Sequence, residues 1–292
     1  MTDTALTAHG LGKRYGRRGK RALHDCSFRL PRGRICALVG ANGAGKSTLL
    51  TLAAGLDVPS EGTVEVLGTD PGRARDRVAY VAQGKPLYPQ LTVDETLRLG
   101  RELNPGRWAA DIADEIAAPL DRAARVRALS GGQRTRLALA LALGKRPELL
   151  LLDEPMADLD PLARHQLMGV LMADAAERGT SVVMSSHILT ELEGACDHLL
   201  LVDGGRVRLS GPVDDLLATH TLVTGPASDA DGVLAPYTVV ESRTTGRQAA
   251  ALVRRGDGAP PYPDTWRATE PTLEEVLLAY LRSPGAEGQV AA

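Results

Sequence analysis

The chain lacks any run of about 18 to 20 consecutive apolar residues, which is the length that a membrane-spanning helix needs. Its leucine-rich stretches are interrupted by Gly144-Lys145 and by Asp153-Glu154. Residues 1–5 carry neither a basic flank nor an apolar core, so we do not expect a signal peptide there. These absences predict a chain in the cytoplasm.

The chain also has few cysteines and little net charge. The three cysteines, Cys26, Cys36 and Cys196, have no CxxC spacing, so they predict neither a disulfide framework nor a metal cluster. The formal net charge of −2 gives no overall attraction to nucleic acid. A local basic stretch over residues 13–21 is the exception, and we interpret it as a solvated loop rather than a nucleic-acid patch.

A phosphate-binding loop is predicted at residues 40–48, which match GxxxxGK[ST] between an apolar strand at 34–39 and a helix at 47–54. Its glycines let successive backbone N–H groups face phosphate oxygens at a helix N-terminus. We expect Lys46 to reach the β- and γ-phosphates, Ser47 to hold Mg²⁺ and Thr48 to add a polar contact. The expected nucleotide-binding residues of the loop are Gly40, Ala41, Asn42, Gly43, Ala44, Gly45, Lys46, Ser47 and Thr48. The flanking strand and helix disfavour the alternative of an ordinary glycine-rich turn.

Two carboxylates follow four leucines in the segment 149–155. This pattern predicts a buried strand that delivers acidic groups at its carboxyl end, the edge where open α/β sheets bind ligands. Asp153 suits a direct or outer-sphere partner of Mg²⁺, and Glu154 suits a general base for an attacking water. The alternative, in which both residues only begin a turn before Pro155, is weakened by the phosphate loop.

A second anion site is predicted at residues 129–133, Leu-Ser-Gly-Gly-Gln, because Ser130 is a suitable N-cap for the helical run that follows. With this motif the chain resembles the ABC transporter ATPase family, and the resemblance covers nearly all of residues 4–218. In that family two subunits enclose ATP head to tail. The resemblance implies that Ser130, Gly131, Gly132 and Gln133 contact the ATP held by the other subunit.

The resemblance implies further roles. Tyr15 is similar to the aromatic that stacks on adenine, Gln83 to the glutamine that touches Mg²⁺ and the attacking water, and His187 to the switch histidine that contacts the γ-phosphate. Asp160 matches the aspartate of the loop that crosses to the other subunit, although Ala157 replaces the small hydroxyl residue that is frequent there. The expected catalytic residues are therefore Glu154, His187, Gln83 and Lys46, and the expected Mg²⁺ ligands are Ser47, Gln83 and Asp153.

The expected fold is an α/β P-loop NTPase with an N-terminal antiparallel β subdomain, an inserted helical subdomain and a small C-terminal α+β appendage. Its 292 residues suffice for one such core and a small extra domain. We expect an ATPase domain over residues 1–218 with helices at about 86–145, an accessory domain at 219–283 and a flexible tail at 284–292. In the accessory domain we expect short strands at 237–240, 250–253 and 265–268 and a final helix that begins with a capping box at Thr272. The segment 271–280 resembles the C-terminal helix of ATPase subunits of bacterial drug and antibiotic exporters.

The predicted function is that of an exporter ATPase subunit that binds ATP and Mg²⁺ at the cytoplasmic face of the cell membrane. Its expected partners are a separately encoded membrane permease and a second ATPase subunit, identical or paralogous, with no nucleic acid. An importer subunit is the nearest alternative. A soluble ABC protein of translation is less favoured because such chains usually carry two cassettes. A chromosome-maintenance ATPase would need a long coiled coil, for which the roughly 80 residues between phosphate loop and signature do not suffice.

Overall fold

The computed structural model describes residues 3–16, 19–186, 194–254, 256, 260–283 and 288–289. Near the N-terminus, β1 (Thr4–Arg14) pairs with β2 (Arg21–Pro31) and with β4 (Glu61–Val66), and both pairings are antiparallel. This three-stranded sheet is the predicted antiparallel subdomain. Cys26 of β2 is buried as expected, and burial is the main cause that raises the pKa of its thiol.

A second sheet of seven strands forms the centre of the molecule. Its strands are β3 (Ile35–Val39), β5 (Val78–Val81), β6 (Leu149–Asp153), β7 (Ser181–Ser186), β8 (His198–Asp203), β9 (Arg206–Pro212) and β14 (Gly288–Gln289). They lie in the order β14-β9-β8-β3-β7-β6-β5. Pairing is parallel except between β8 and β9, which form a hairpin through Gly204 and Gly205. Strand β14 lies within the predicted flexible tail, where the structure instead pairs it with β9.

The central sheet separates two apolar cores, which explains why the middle residues of its inner strands are apolar on both faces. In β3, Ile35, Ala37 and Val39 face one core and Cys36 and Leu38 face the other. The first core is covered by helices and the second by helix α1 (Lys46–Ala53) and the antiparallel sheet. Within the described ranges, no helix combines the length and the apolar character that crossing a bilayer requires.

The predicted helical insertion contains α2 (Val93–Leu103), α3 (Ala110–Ala117) and α4 (Gly131–Gly144). Helix α2 begins with a capping box between Thr92 and Glu95. The ring of Trp108 packs so closely that a Cβ at Gly100 or at Gly144 would lie 2.8 Å or less from a neighbouring side chain. The indole therefore holds α2 against α4. After β6 the chain forms α5 (Pro161–Arg178), and after β9 it forms α6 (Val213–Thr219).

The C-terminal part is a four-stranded antiparallel sheet with two helices. The strands are β10 (His220–Pro226), β11 (Thr238–Thr245), β12 (Gln248–Arg254) and β13 (Arg267–Thr269), in the order β11-β12-β10-β13. The helices are α7 (Ala230–Leu234) and α8 (Leu273–Arg282). The three predicted strands are present with shifted ends. Strand β10 was not predicted, because Gly225-Pro226 indicates a turn; in the structure the ring of Trp266 covers Gly225 where a side chain would otherwise stand.

Helix α8 begins with the predicted capping box between Thr272 and Glu275. Its residues Leu273, Val276, Leu277 and Tyr280 are buried and belong to the same core as the central sheet. A hydrogen bond of 3.0 Å joins Tyr280 Oη to His220 Nε2, and Arg208 donates to the carbonyl of Ser283 at 2.5 Å. The helix therefore packs on more than its own appendage.

Candidate functional site

The phosphate loop joins β3 to α1 and requires glycine at both of its ends. A Cβ at Gly40 would lie 2.0 Å from the carbonyl oxygen of Val202, and a Cβ at Gly45 would lie 2.5 Å from that of Ala22. Gly45 also has a φ of 114°, a conformation that side chains oppose. As the N-cap of α1 it offers no side-chain acceptor, so backbone N–H groups at the helix start stay available to an anion.

Lys46 links this loop to the acidic end of β6. Its Nζ donates to the carbonyl of Gly40 at 2.6 Å and to that of Ala41 at 3.4 Å. The same Nζ lies 3.6 Å from Glu154 Oε1, and the side chain is only 5% exposed. A fixed ammonium group thus stands between the loop and the carboxylate of Glu154, which follows β6.

Asp153 and Glu154 are held by a hydroxyl group from the neighbouring strand. Ser185 Oγ donates to Asp153 Oδ1 at 2.8 Å and accepts from the backbone N–H of Glu154 at 2.9 Å. Glu154 has a φ of 47°, which is uncommon for a residue with a side chain. The hydroxyl therefore fixes the aspartate side chain and the strained backbone of the glutamate together.

Strand β5 contributes two further polar groups. Gln83, just after the strand, donates from Nε2 to Glu154 Oε2 at 3.3 Å. Tyr80 approaches Asp153, and burial together with the aspartate charge raises the pKa of the phenol to about 12. The structure thus brings Gln83 and Glu154 together.

A cavity of about 420 Å³ lies over the phosphate loop. Its lining is Tyr15, Lys20, Ala22, Asn42, Gly43, Gly45, Lys46, Ser47, Thr48, Gln83 and Glu154. Tyr15 is 49% exposed, and its hydroxyl donates to Thr48 Oγ1 at 3.5 Å. Lys13 Nζ lies 5.1 Å from the centre of the tyrosine ring. An aromatic surface, a phosphate loop and a carboxylate therefore share one cavity.

The signature residues are placed elsewhere. Ser130 caps α4, since its hydroxyl accepts from Gln133 N–H at 3.2 Å while the Gln133 side chain accepts from Ser130 N–H at 2.9 Å. Among the described residues that line the cavity, none belongs to the signature. Asp160 caps α5 in the same manner, accepting from Ala163 N–H at 2.9 Å. The signature of this chain thus does not line the cavity over its own phosphate loop.

The residues present fit ATP with Mg²⁺. Ser47, Gln83 and Asp153 offer hydroxyl, amide and carboxylate oxygens, which are the ligands that Mg²⁺ takes beside phosphate oxygens. Asp153 is 2% exposed and lies behind the cavity lining, which suits an outer-sphere partner. In the described part of the chain, no group of three or more His, Cys, Asp or Glu residues is arranged to hold a metal ion.

One predicted site residue, His187, lies outside the described residues. Sequence reasoning missed Ser185, Tyr80 and Lys20. Ser185 carried a usable signal, because a hydroxyl residue near the end of a strand that pairs in parallel with β6 reaches the same edge of the sheet.

Comparison with known proteins gives a consistent result. A family model described as ABC transporter matches residues 23–157. Nod factor export ATP-binding protein I of Ralstonia nicotianae is 39% identical over 229 residues, which cover 74% of this chain and 70% of that protein. Aliphatic sulfonates import ATP-binding protein SsuB 1 of Burkholderia lata is 39% identical over 214 residues, covering 73% of this chain and 66% of that protein. A solved structure of the ATP-binding subunit of an ABC transporter has a TM-score of 0.65 at 30% identity and covers 74% of this chain and 92% of its own. The chain therefore belongs to the ABC transporter ATP-binding proteins, the ATP-hydrolysing subunits of these transporters.

Proposed function

We propose that this ATPase subunit energises an exporter through a head-to-tail dimer that ATP closes. The observation that carries the proposal is the separation of the signature from the cavity over the phosphate loop. Lys46, Gln83 and Glu154 surround one cavity, whereas the signature of the same chain does not line it. Two chains arranged head to tail bring the signature of one to the cavity of the other, so that each ATP is held from both sides.

Hydrolysis in this arrangement is phosphoryl transfer to water, which depends on positioning and on charge neutralisation. Glu154 accepts the proton of the attacking water, and Gln83, hydrogen-bonded to Glu154, orients that water. Lys46 neutralises charge on the β- and γ-phosphates. Ser47 and Gln83, with Asp153 as an outer-sphere partner, would hold Mg²⁺, which would supply further charge neutralisation.

The remaining roles in the proposal follow the family. Tyr15 stacks on the adenine, with Asn42, Ala44 and the other loop residues around the phosphates. His187 contacts the γ-phosphate, and Asp160 belongs to the loop that meets the other subunit. Ser130 and Gly132 contact the γ-phosphate bound by the partner.

The direction of transport is the finer part of the proposal. The Nod factor export protein and the sulfonate import protein have the same sequence identity to this chain, 39% in each case. Export is favoured by the segment 271–280, which resembles the C-terminal helix of exporter ATPase subunits and forms the buried helix α8. The proposed partners are a membrane permease that docks near Gln83 and the helical insertion, and a second ATPase subunit. The proposed location is the cytoplasmic face of the membrane.

The test is an affinity pull-down of tagged Glu154→Gln protein, trapped with ATP and Mg²⁺, from detergent-solubilised membranes. Glu177→Gln, an exposed substitution on α5, serves as the matched control that still hydrolyses ATP. We expect a multi-span membrane protein to be enriched with the trapped variant. Ribosomes or nucleic acid in its place would refute the transporter role. Vesicles reconstituted with the recovered permease then give the direction, because an exporter and an importer move the same substrate in opposite directions.

A further inference from the structure

A buried lysine lies two residues beyond Gln83 and contacts the loop that follows Glu154. Lys85 has a φ of 44°, and its side chain is only 5% exposed. Its Nζ donates to Asp158 Oδ2 and forms an ion pair with it. The proposed function assigns Lys85 no task.

Asp158 in turn lies directly against the signature. A Cβ on Gly131 would be 3.1 Å from Asp158 Cβ and 3.2 Å from its Cγ, so a side chain there would require Asp158 to shift by a few tenths of an ångström. A Cβ on Gly132 would lie 3.3 Å from the backbone oxygen of Asp158. The Asp158 side chain is 49% exposed, so its carboxylate borders the open space in front of the N-terminus of α4.

This placement presents an electrostatic problem. The N-terminus of α4 carries partial positive charge and uncovered N–H groups, which favour a phosphate. An unpaired carboxylate beside the same glycines would repel that phosphate, and the repulsion between unit charges extends well beyond contact distance. The ammonium group of Lys85 forms an ion pair with Asp158 and so neutralises the charge of that carboxylate.

We infer that Lys85 is a positioning residue for the trans ATP site: it neutralises Asp158 and holds it beside Gly131 so that the signature can accept the γ-phosphate of the partner's ATP. This inference rests on the head-to-tail dimer proposed above. It assigns no chemistry to Lys85, which acts only through Asp158. Because Lys85 and Gln83 belong to one short loop, the ion pair also connects the residue that contacts Glu154 with the signature of the same chain.

The test uses the full chain with Glu154→Gln, in which ATP is retained. Analytical ultracentrifugation measures the ATP concentration at which half of the protein is dimeric. We compare this parent with three variants of it, which carry Lys85→Met, Asp158→Asn or both substitutions. We expect Lys85→Met to raise that concentration about tenfold, since it exposes the uncompensated carboxylate. Adding Asp158→Asn to Lys85→Met should return the value to within about threefold of the parent, and raising the salt should shrink the Lys85→Met effect.

The matched control is the exposed ion pair between Arg98 and Asp94 on α2, within the helical insertion. Arg98→Met should leave the half-dimerising ATP concentration unchanged. ATP binding to the monomer, measured by displacement of a fluorescent ATP analogue, should be unchanged in every variant, because the phosphate loop is untouched.

The outcomes separate the inference from the proposal that it extends. If the Glu154→Gln parent fails to dimerise with ATP and Mg²⁺, the proposed dimer itself is wrong. If the parent dimerises and Lys85→Met matches it, the inference is overturned. The inference also fails if Asp158→Asn does not rescue Lys85→Met, because the lysine would then contribute packing rather than charge neutralisation.

Discussion

Ser185 gives the sharpest prediction on catalysis. Its hydroxyl is fully buried and bridges Asp153 Oδ1 and the backbone N–H of Glu154. Ser185→Ala removes both hydrogen bonds and leaves a buried donor without its partner, which costs about 1–3 kcal/mol of folding stability. Glu154 also loses the contact that holds its backbone at a φ of 47°.

The catalytic effect follows from the same geometry. Substitution of groups that orient metal-binding and reacting carboxylates commonly lowers activity about 10- to 100-fold, which equals about 1.4–2.7 kcal/mol of activation free energy. We expect kcat for ATP hydrolysis to fall in that range while KM for ATP changes little, because the phosphate loop and Tyr15 are untouched. Steady-state phosphate release over a range of ATP concentrations measures both constants.

The matched control lies on the same strand. Ser181 is also buried, and its hydroxyl accepts from the backbone N–H of Gly33 at 3.0 Å, but at the opposite edge of the sheet. Ser181→Ala should lose comparable stability in denaturant unfolding and keep its kcat. Equal losses of kcat in the two variants, or a normal kcat in Ser185→Ala, would refute the positioning role of Ser185.

Three further predictions follow from the site and from the core. Glu154→Gln should hydrolyse ATP about 10²- to 10⁴-fold more slowly while still binding it, in phosphate-release and equilibrium-binding assays; near-normal turnover would remove the residue from its role. Tyr15→Ala should weaken ATP binding by the loss of one stacking contact, worth about 1–3 kcal/mol, whereas Tyr15→Trp should preserve it in the same titration. Burial lowers the pKa of His198 from 6.5 to about 4. Between pH 6.5 and 4 the unfolded chain therefore binds a proton that the folded chain does not bind. The free energy of unfolding should be highest above pH 6.5 and should fall by about 3 kcal/mol as the pH approaches 4. Urea unfolding at both pH values checks this, and His198→Gln should reduce the slope.

The motifs could be predicted because each is continuous in sequence. The phosphate loop, Asp153 with Glu154, and the capped signature depend on local backbone geometry, which short-range patterns encode.

The rest of the site depends on contacts between distant residues. Ser185 meets Asp153 across 32 positions, and Lys85 meets Asp158 across 73. No local sequence pattern indicates such pairs, because the order of the strands and the path of the loops determine which residues meet. Strand β10 was missed for a related reason. Composition alone assigns Gly225 to a turn, whereas in the structure the close approach of Trp266 gives this glycine a packing role.

The positive φ of Glu154 has a consequence for how this sequence can change. A left-handed backbone costs a residue with a side chain about 1–2 kcal/mol, and glycine avoids that cost. At this position the fold on its own favours glycine, whereas hydrolysis needs a carboxylate. Selection for a more stable chain would therefore favour a glycine here that cannot support hydrolysis. Stability and activity thus oppose each other at this single residue.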